Sequence, residues 1–226
     1  MRKLAVFLIF LLVLLAILDR VAVSGVQREI ATRATARYDL ATSPEVTISG
    51  IPFLTQAIAG RYDEVKVVSG ATNVAGLRLS SVDFVLHGVT APLGDLMFHP
   101  DKVDVRAERV VGTVVVSPET LNQRAPRGIK IEAGADGLNV RGEITVLGQK
   151  VPVKARMRVD LVKGGVRFVP EQITLGGGIA VPQPERFLSY QIPIKNLPFN
   201  LKVTEVKAVR EGLQVSGEAS NVPLQG

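Results

Sequence analysis

The hydrophobic pattern changes period several times along the chain, and each change predicts an element. Behind Arg2-Lys3, the residues Leu4 to Leu18 are fifteen consecutive apolar positions with no polar face. That pattern suits a helix in lipid and not a half-buried one. Val26, Ile30, Ala34 and Tyr38 then recur at four-residue steps, with Arg28, Arg33, Arg37 and Asp39 elsewhere round the wheel. They predict a separate amphipathic helix, ended by Thr42-Ser43-Pro44, because the residue before a proline is pushed into extended backbone. Val46 and Ile48 begin a two-residue alternation, which Gly50 and Pro52 interrupt. Phe53, Leu54, Ala57 and Ile58 follow at i, i+1, i+4 and i+5, a helix of about two turns with these side chains on one face, stopped by Gly60.

From Glu64 the period is two. Val65 and Val67, Leu77 and Leu79, and Val82, Phe84 and Leu86 read as half-buried strands, with Gly70 and Gly76 at the turns. Val103, Val105 and Ala107, then Val110, Thr113 and Val115, predict a hairpin. Ser117-Pro118 predicts an N-cap and first helical position for a short crossing helix. A five-strand meander follows from Ile129 to Phe168, with tight turns at 135–137, 147–149 and 163–165. Gly176 to Pro184 reads as a link, Glu185 to Tyr190 as one helical turn, and Leu201 to Val215 as a final hairpin. The class is therefore α+β: a long curled antiparallel sheet with a few short helices, preceded by an N-terminal hydrophobic helix.

The apolar run also addresses the chain. A charged start followed by a hydrophobic stretch is the form of an export signal or signal anchor, so residues 1–25 are read as signal peptide or membrane anchor and 26–226 as a single domain. Fifteen helical residues span about 22 Å, short of the ~30 Å hydrocarbon core, whereas continuing to Val26 reaches far enough and carries Asp19 and Arg20 to the interface. Ala22-Val23-Ser24 has the small residues of a cleavage site, with Asp19-Arg20 awkwardly just before it. Both outcomes place the body at the cell membrane on its extracytoplasmic side, or in the envelope if the signal is cleaved.

Composition removes most chemistry. The chain has no cysteine, so disulfides, thiol catalysis, thiolate metal sites and a lipidated cysteine are excluded. The net charge of +6 is spread along alternating strands without interleaved stacking aromatics, which argues against nucleic acid. His87 and His99 share no ligand spacing, and Asp101, Asp104 and Glu108 lack the form of a calcium loop, so no metal and no cofactor are expected. Gly176-Gly177-Gly178 has no phosphate-loop Lys, and no nucleophile elbow occurs. The chain reads as a binding or structural protein and not as an enzyme.

Pro44-x-Val46-x-Ile48-x-Gly50-Ile51-Pro52-Phe53-Leu54-Thr55-Gln56, followed by Gly60-x-Tyr62, resembles the opening signature of the actinobacterial LmeA family of phospholipid-binding envelope proteins. Ile51 departs from the Phe of that signature. Leu197-Pro198-Phe199-x-Leu201-x-Val203 and the run Gly212-Leu213-x-Val215-x-Gly217-x-Ala219-x-Asn221-Val222 resemble the family's closing strands. The resemblance implies a tubular lipid-binding-like fold, in which a rolled sheet and a helix enclose acyl chains. It implies phospholipid and the membrane as partners, with an envelope-assembly protein as a further one, and a role in envelope lipid or lipoglycan assembly. The residues expected to touch lipid are Pro52, Phe53, Leu54 and Ile58 at the mouth of an apolar cavity, and Phe84 and Leu86 on a strand facing it. The residues alone equally allow the short helix to plug a solid core, in which case the protein is a membrane-tethered scaffold without lipid cargo.

Overall fold

The computed structural model describes residues 2–74, 77–92, 104–125, 128–134, 137–146, 149–163, 165–176, 179–180, 190–193 and 201–224. A single helix, α1 (Arg2–Tyr38), opens the chain. The two segments expected on either side of residue 25 are thus one continuous helix of 37 residues, about 55 Å long at 1.5 Å per residue. Gly25 does not break it, since one glycine in a helix costs only about 1 kcal/mol. The remaining elements are β1 (Glu45–Ser49), α2 (Phe53–Ala59), β2 (Arg61–Ser69), β3 (Thr72–Val74), β4 (Leu77–Thr90) and β5 (Arg106–Val116). They continue with α3 (Pro118–Arg124), β6 (Ile129–Gly134), β7 (Gly137–Val146), β8 (Gln149–Val162), β9 (Gly165–Leu175), β10 (Ile179–Ala180), β11 (Tyr190–Pro193), β12 (Lys202–Val209) and β13 (Gly212–Pro223).

The fold is α+β: the described residues form a long apolar helix, two short helices and two antiparallel sheets, neither of them closed. The first sheet has the order β1-β2-β4-β5-β13-β12, with β3 on β4. The second has the order β10-β9-β8-β7-β6, with β11 also on β9. Its centre is the meander that the alternation predicted: Val153, Ala155 and Met157 of β8 are buried at every second position, and β8 pairs in register with both β7 and β9.

The chain divides into two compact units. The first comprises residues 1–69, 83–111 and 219–226. Its core joins Val23 of α1, Val46 and Ile48 of β1, Phe53 and Ala57 of α2, Tyr62 and Val65 of β2, and Val89, Ala107, Val110 and Val222. The second comprises residues 70–82 and 112–218, with a core of Leu121, Leu138, Val153, Met157, Val166, Phe168, Ile173, Val206 and Leu213 among others. The strands β4, β5 and β13 each divide between the two.

Three expected breaks are absent: Leu138 to Val146 fall in one strand, β7, so the meander from Ile129 to Phe168 has four strands and not five. Leu77 to Leu86 and onward to Thr90 form one strand, and Arg106 to Val116 form one strand in place of a hairpin. In β5 the buried phase slips between Ala107 and Val110, so Glu108 and Arg109 are both exposed. The slip mimics a turn in the alternation, but no Gly, Pro or Asn is present there to make one. The capped helix is as expected: the Ser117 hydroxyl accepts from the Thr120 amide at 3.3 Å, with Pro118 in the first turn. His99, Asp101, residues 185–189 of the turn expected over Glu185 to Tyr190, and Leu197 to Phe199 lie outside the described residues, while Tyr190 begins β11.

Candidate functional site

The β1–α2–β2 connection of the first unit carries four of the six residues expected to meet lipid, and β4 carries the other two. Gly50 takes a positive φ of 100° at the end of β1. Its missing side chain leaves room for Gln56, whose Nε2 would lie 2.5 Å from a Cβ there. Gln56 uses that space as a clamp. Its Nε2 donates to Ser49 O at 3.1 Å and its Oε1 accepts from the Asp63 amide at 3.0 Å, tying the end of β1 to the start of β2 across the helix. Gly60 closes α2 in the left-handed conformation, φ 65°, and its carbonyl accepts from the Ala91 amide at 2.8 Å. A Cβ on Gly60 would meet Pro92 Cα at 2.9 Å.

The start of α2 has no cap of its own, because Pro52 in the cap position offers no side-chain acceptor. The acceptor comes from α1. Asp19, 4% exposed, takes the Leu54 amide on Oδ1 at 2.8 Å, while its other oxygen pairs with Arg20. A carboxylate at a helix start is favourable in both hydrogen bonding and charge. The same stretch of α1 packs Ala22, Val23, Ile30 and Ala31 against the first core. The sequence places Asp19 at the membrane interface or beside a cleavage site, and its capping role is not visible there because the partner lies 35 positions away.

The six expected residues separate by environment. Phe53 is 3% exposed, with its ring 5.9 Å from that of Tyr62. Burial holds the Tyr62 phenol above its ordinary pKa. Leu54, Phe84 and Leu86 are half-buried against the same core. Pro52 is exposed, and Ile58 is 81% exposed. Ile58 therefore leaves the face that Phe53 and Ala57 share. Five helical residues turn the chain by about 500°, which puts it ~140° from Phe53. Ile51, 82% exposed just before the helix, was not among the expected contacts.

No charge lies between Ser49 and Arg61, although 21% of the chain is charged. Charges begin again on the strand: Glu64 accepts from the Ser49 hydroxyl at 3.0 Å and faces His87 Nδ1 at 3.7 Å, so this histidine is half-buried on β4 and not in a loop. Among the described residues, no three His, Asp or Glu side chains come together as a metal site. In the second unit a shallow cleft of about 190 Å³ lies between β8, β9 and β12. Its wall includes Arg158, Glu171 and Lys207. It is smaller than the roughly 300–1,000 Å³ of ordinary ligand pockets and too charged for an acyl chain.

No curated protein and no solved structure matches this chain. A family does: the family model described as LmeA-like phospholipid-binding matches residues 17–218, a span that begins two residues before Asp19 and ends within β13. With most of its 226 residues matched, including the whole β1–α2–β2 connection and the α1 residue that caps it, the chain belongs to the LmeA-like phospholipid-binding family.

Proposed function

We propose that this chain is a membrane-anchored, extracytoplasmic protein that holds phospholipid acyl chains in an apolar cavity and so supports envelope lipid or lipoglycan assembly. Family membership over residues 17–218 carries the reading. Phe53, Leu54, Phe84 and Leu86 are the side chains that meet the acyl chains, with Pro52 and Ile58 at the rim. Their gathering in one unit, around one apolar cluster, supports that assignment. Each methylene taken from water would contribute about 0.8 kcal/mol, so binding needs no charged pocket and no catalysis.

Residues 1–25 serve as a retained anchor and 26–226 as the lipid-binding part. Retention is supported by Asp19 and Val23, which are buried in the first core, because a cut after Ser24 would remove both from it. The helix α1 is long and apolar enough to cross a membrane. Arg2-Lys3 before the apolar run have the form of an export signal's charged start, which supports an extracytoplasmic body.

The test is photo-crosslinking of the full chain in vesicles, using a phospholipid with a diazirine in its acyl chain. Crosslinks on the β4 peptide containing Phe84 and Leu86, competed away by unlabelled phospholipid, are the expected result. Crosslinks confined to α1 would report only the anchor and leave the scaffold reading, a tethered protein without lipid cargo, in its place.

A further inference from the structure

We propose that the edge of α2 carrying Ile51, Pro52 and Ile58 rests in the surface of the bilayer that α1 enters, giving the first unit a second membrane contact beside its anchor. The inference builds on the reading of α1 as a retained anchor. Single exposed apolar side chains are ordinary on protein surfaces. These differ in amount and in place. Outside α1, the substantially exposed large hydrophobic residues among those described are Ile51, Ile58 and Leu161, at 82%, 81% and 42%. The first lies just before a single seven-residue helix and the second in its last turn.

The height of that helix relative to a bilayer follows from its cap. Asp19 is the first residue after the apolar run Leu4 to Leu18, and it holds the Leu54 amide. The start of α2 therefore sits at the level where the apolar run of α1 ends. That run spans about 22 Å, about 8 Å less than the hydrocarbon core, a deficit of roughly five helical residues. The next five positions carry the helix to Val23, with Val21 exposed and Ala22 and Val23 covered by the first core. A bilayer that reached this level would meet the α2 edge within the ~5–10 Å to which interfacial helices sink.

The polar groups of the edge are compatible with that depth. Residues 50–60 contain no charge. The Thr55 hydroxyl donates to Pro52 O at 2.8 Å, and Gln56 is committed to Ser49 and Asp63. Asp19 would be costly at this level if unpaired, but it accepts from Leu54 and pairs with Arg20. The exposed Arg28, beyond Val23, then faces the head-group layer, and Arg20 reaches toward it with its long side chain, so that basic residues add attraction to anionic lipid.

The chain has no cysteine, so single cysteines can be placed without further change. Full-length Ile58→Cys, carrying an environment-sensitive fluorophore, would be reconstituted into phosphatidylcholine–phosphatidylglycerol vesicles with increasing doxyl-phospholipid. Leu11→Cys, in the apolar run, reports the anchor. The expected result is that both labels are quenched in proportion to the doxyl mole fraction and both are shielded from aqueous iodide. Quenching at position 11 with iodide access at position 58 overturns the α2 contact while leaving the anchor standing. A label at 11 that iodide reaches overturns the anchor and the contact together. Quenching at 58 that saturates at one doxyl lipid per chain reports a captured lipid, and it too overturns the bilayer contact.

Discussion

Asp19→Ala is the perturbation that weighs the α1–α2 connection most directly. The helix α2 has seven residues, well below the ~12–15 at which isolated helices become even marginally stable, so it persists only by docking and capping. In the variant the Leu54 amide loses its acceptor at 2.8 Å in a place where Asp19 is nearly covered. Removing a helix cap costs about 1 kcal/mol, and leaving a buried donor unsatisfied costs ~1–3 kcal/mol. These describe one loss and do not add. Opening of α2 should become about 5- to 150-fold more frequent, at 1.4 kcal/mol per tenfold.

The second partner of Asp19 supplies the control. Arg20 is about half exposed on its side chain while Asp19 is nearly covered, so the pair is only partly screened, and Arg20→Ala, which leaves the Leu54 bond in place, should raise opening by less than Asp19→Ala does. Asp19→Asn keeps an acceptor oxygen and should fall between the two. Hydrogen exchange of residues 53–59 in the full chain, held in lipid nanodiscs, reads this opening, with β8 as the internal reference. Unchanged protection of α2 in Asp19→Ala would refute the cap. Equal loss in Arg20→Ala would show that the ion pair, and not the bond to Leu54, holds the helix.

Phe53→Ala empties a buried ring site in the first core and should lower stability by about 3–5 kcal/mol, with Phe53→Leu recovering much of it; guanidinium midpoints in a common detergent measure the difference. In the second unit, Thr120 Oγ1 accepts from the Arg78 amide and donates to the Arg78 carbonyl, both at 2.9 Å. Thr120→Val should therefore cost ~1–3 kcal/mol and speed exchange at Arg78, whereas a shift below the error of the midpoint would show that these bonds are replaced by water. The Tyr62 phenol has a folded pKa raised by burial, so its contribution to stability is complete below its unfolded pKa of about 10 and is lost as pH rises through the folded value. Tyr62→Phe should flatten the alkaline decline of the thermal midpoint, and an unchanged decline would assign it to other groups.

Much of this fold is legible from local periodicity. The meander around β8, the Ser117 cap and the Gly60 stop all depend on residues close in sequence, and they stand where the pattern put them. Strand lengths are less legible. An alternation that slips by one position has two explanations, a turn or a local change in which face is buried, and β5 takes the second at Glu108-Arg109. Helix α1 was divided for a related reason. Its apolar run lacks a polar face while its second half has one, and a change of environment along one helix looks, in sequence, like a change of element.

The candidate site was legible in residue type but not in arrangement. Composition marks residues 50–60 as uncharged, but the i, i+1, i+4, i+5 grouping puts Ile58 on the face of Phe53, which about 100° per helical residue does not allow, and in the structure one points into the core and the other away. Asp19 is the deeper case. A carboxylate at the end of a fifteen-residue apolar run reads as a defect in a signal, because its compensation, the Leu54 amide, belongs to a helix 35 positions on. Once that bond is seen, the end of the apolar run within α1 and the start of α2 are one structural feature. As the proposed anchor, α1 would then do more than tether: it would set where along the membrane normal the uncharged edge of α2 lies, and with it the Phe53 and Leu54 side chains proposed to meet acyl chains. A lipid leaving the bilayer at that level would reach them without the protein having to leave the membrane.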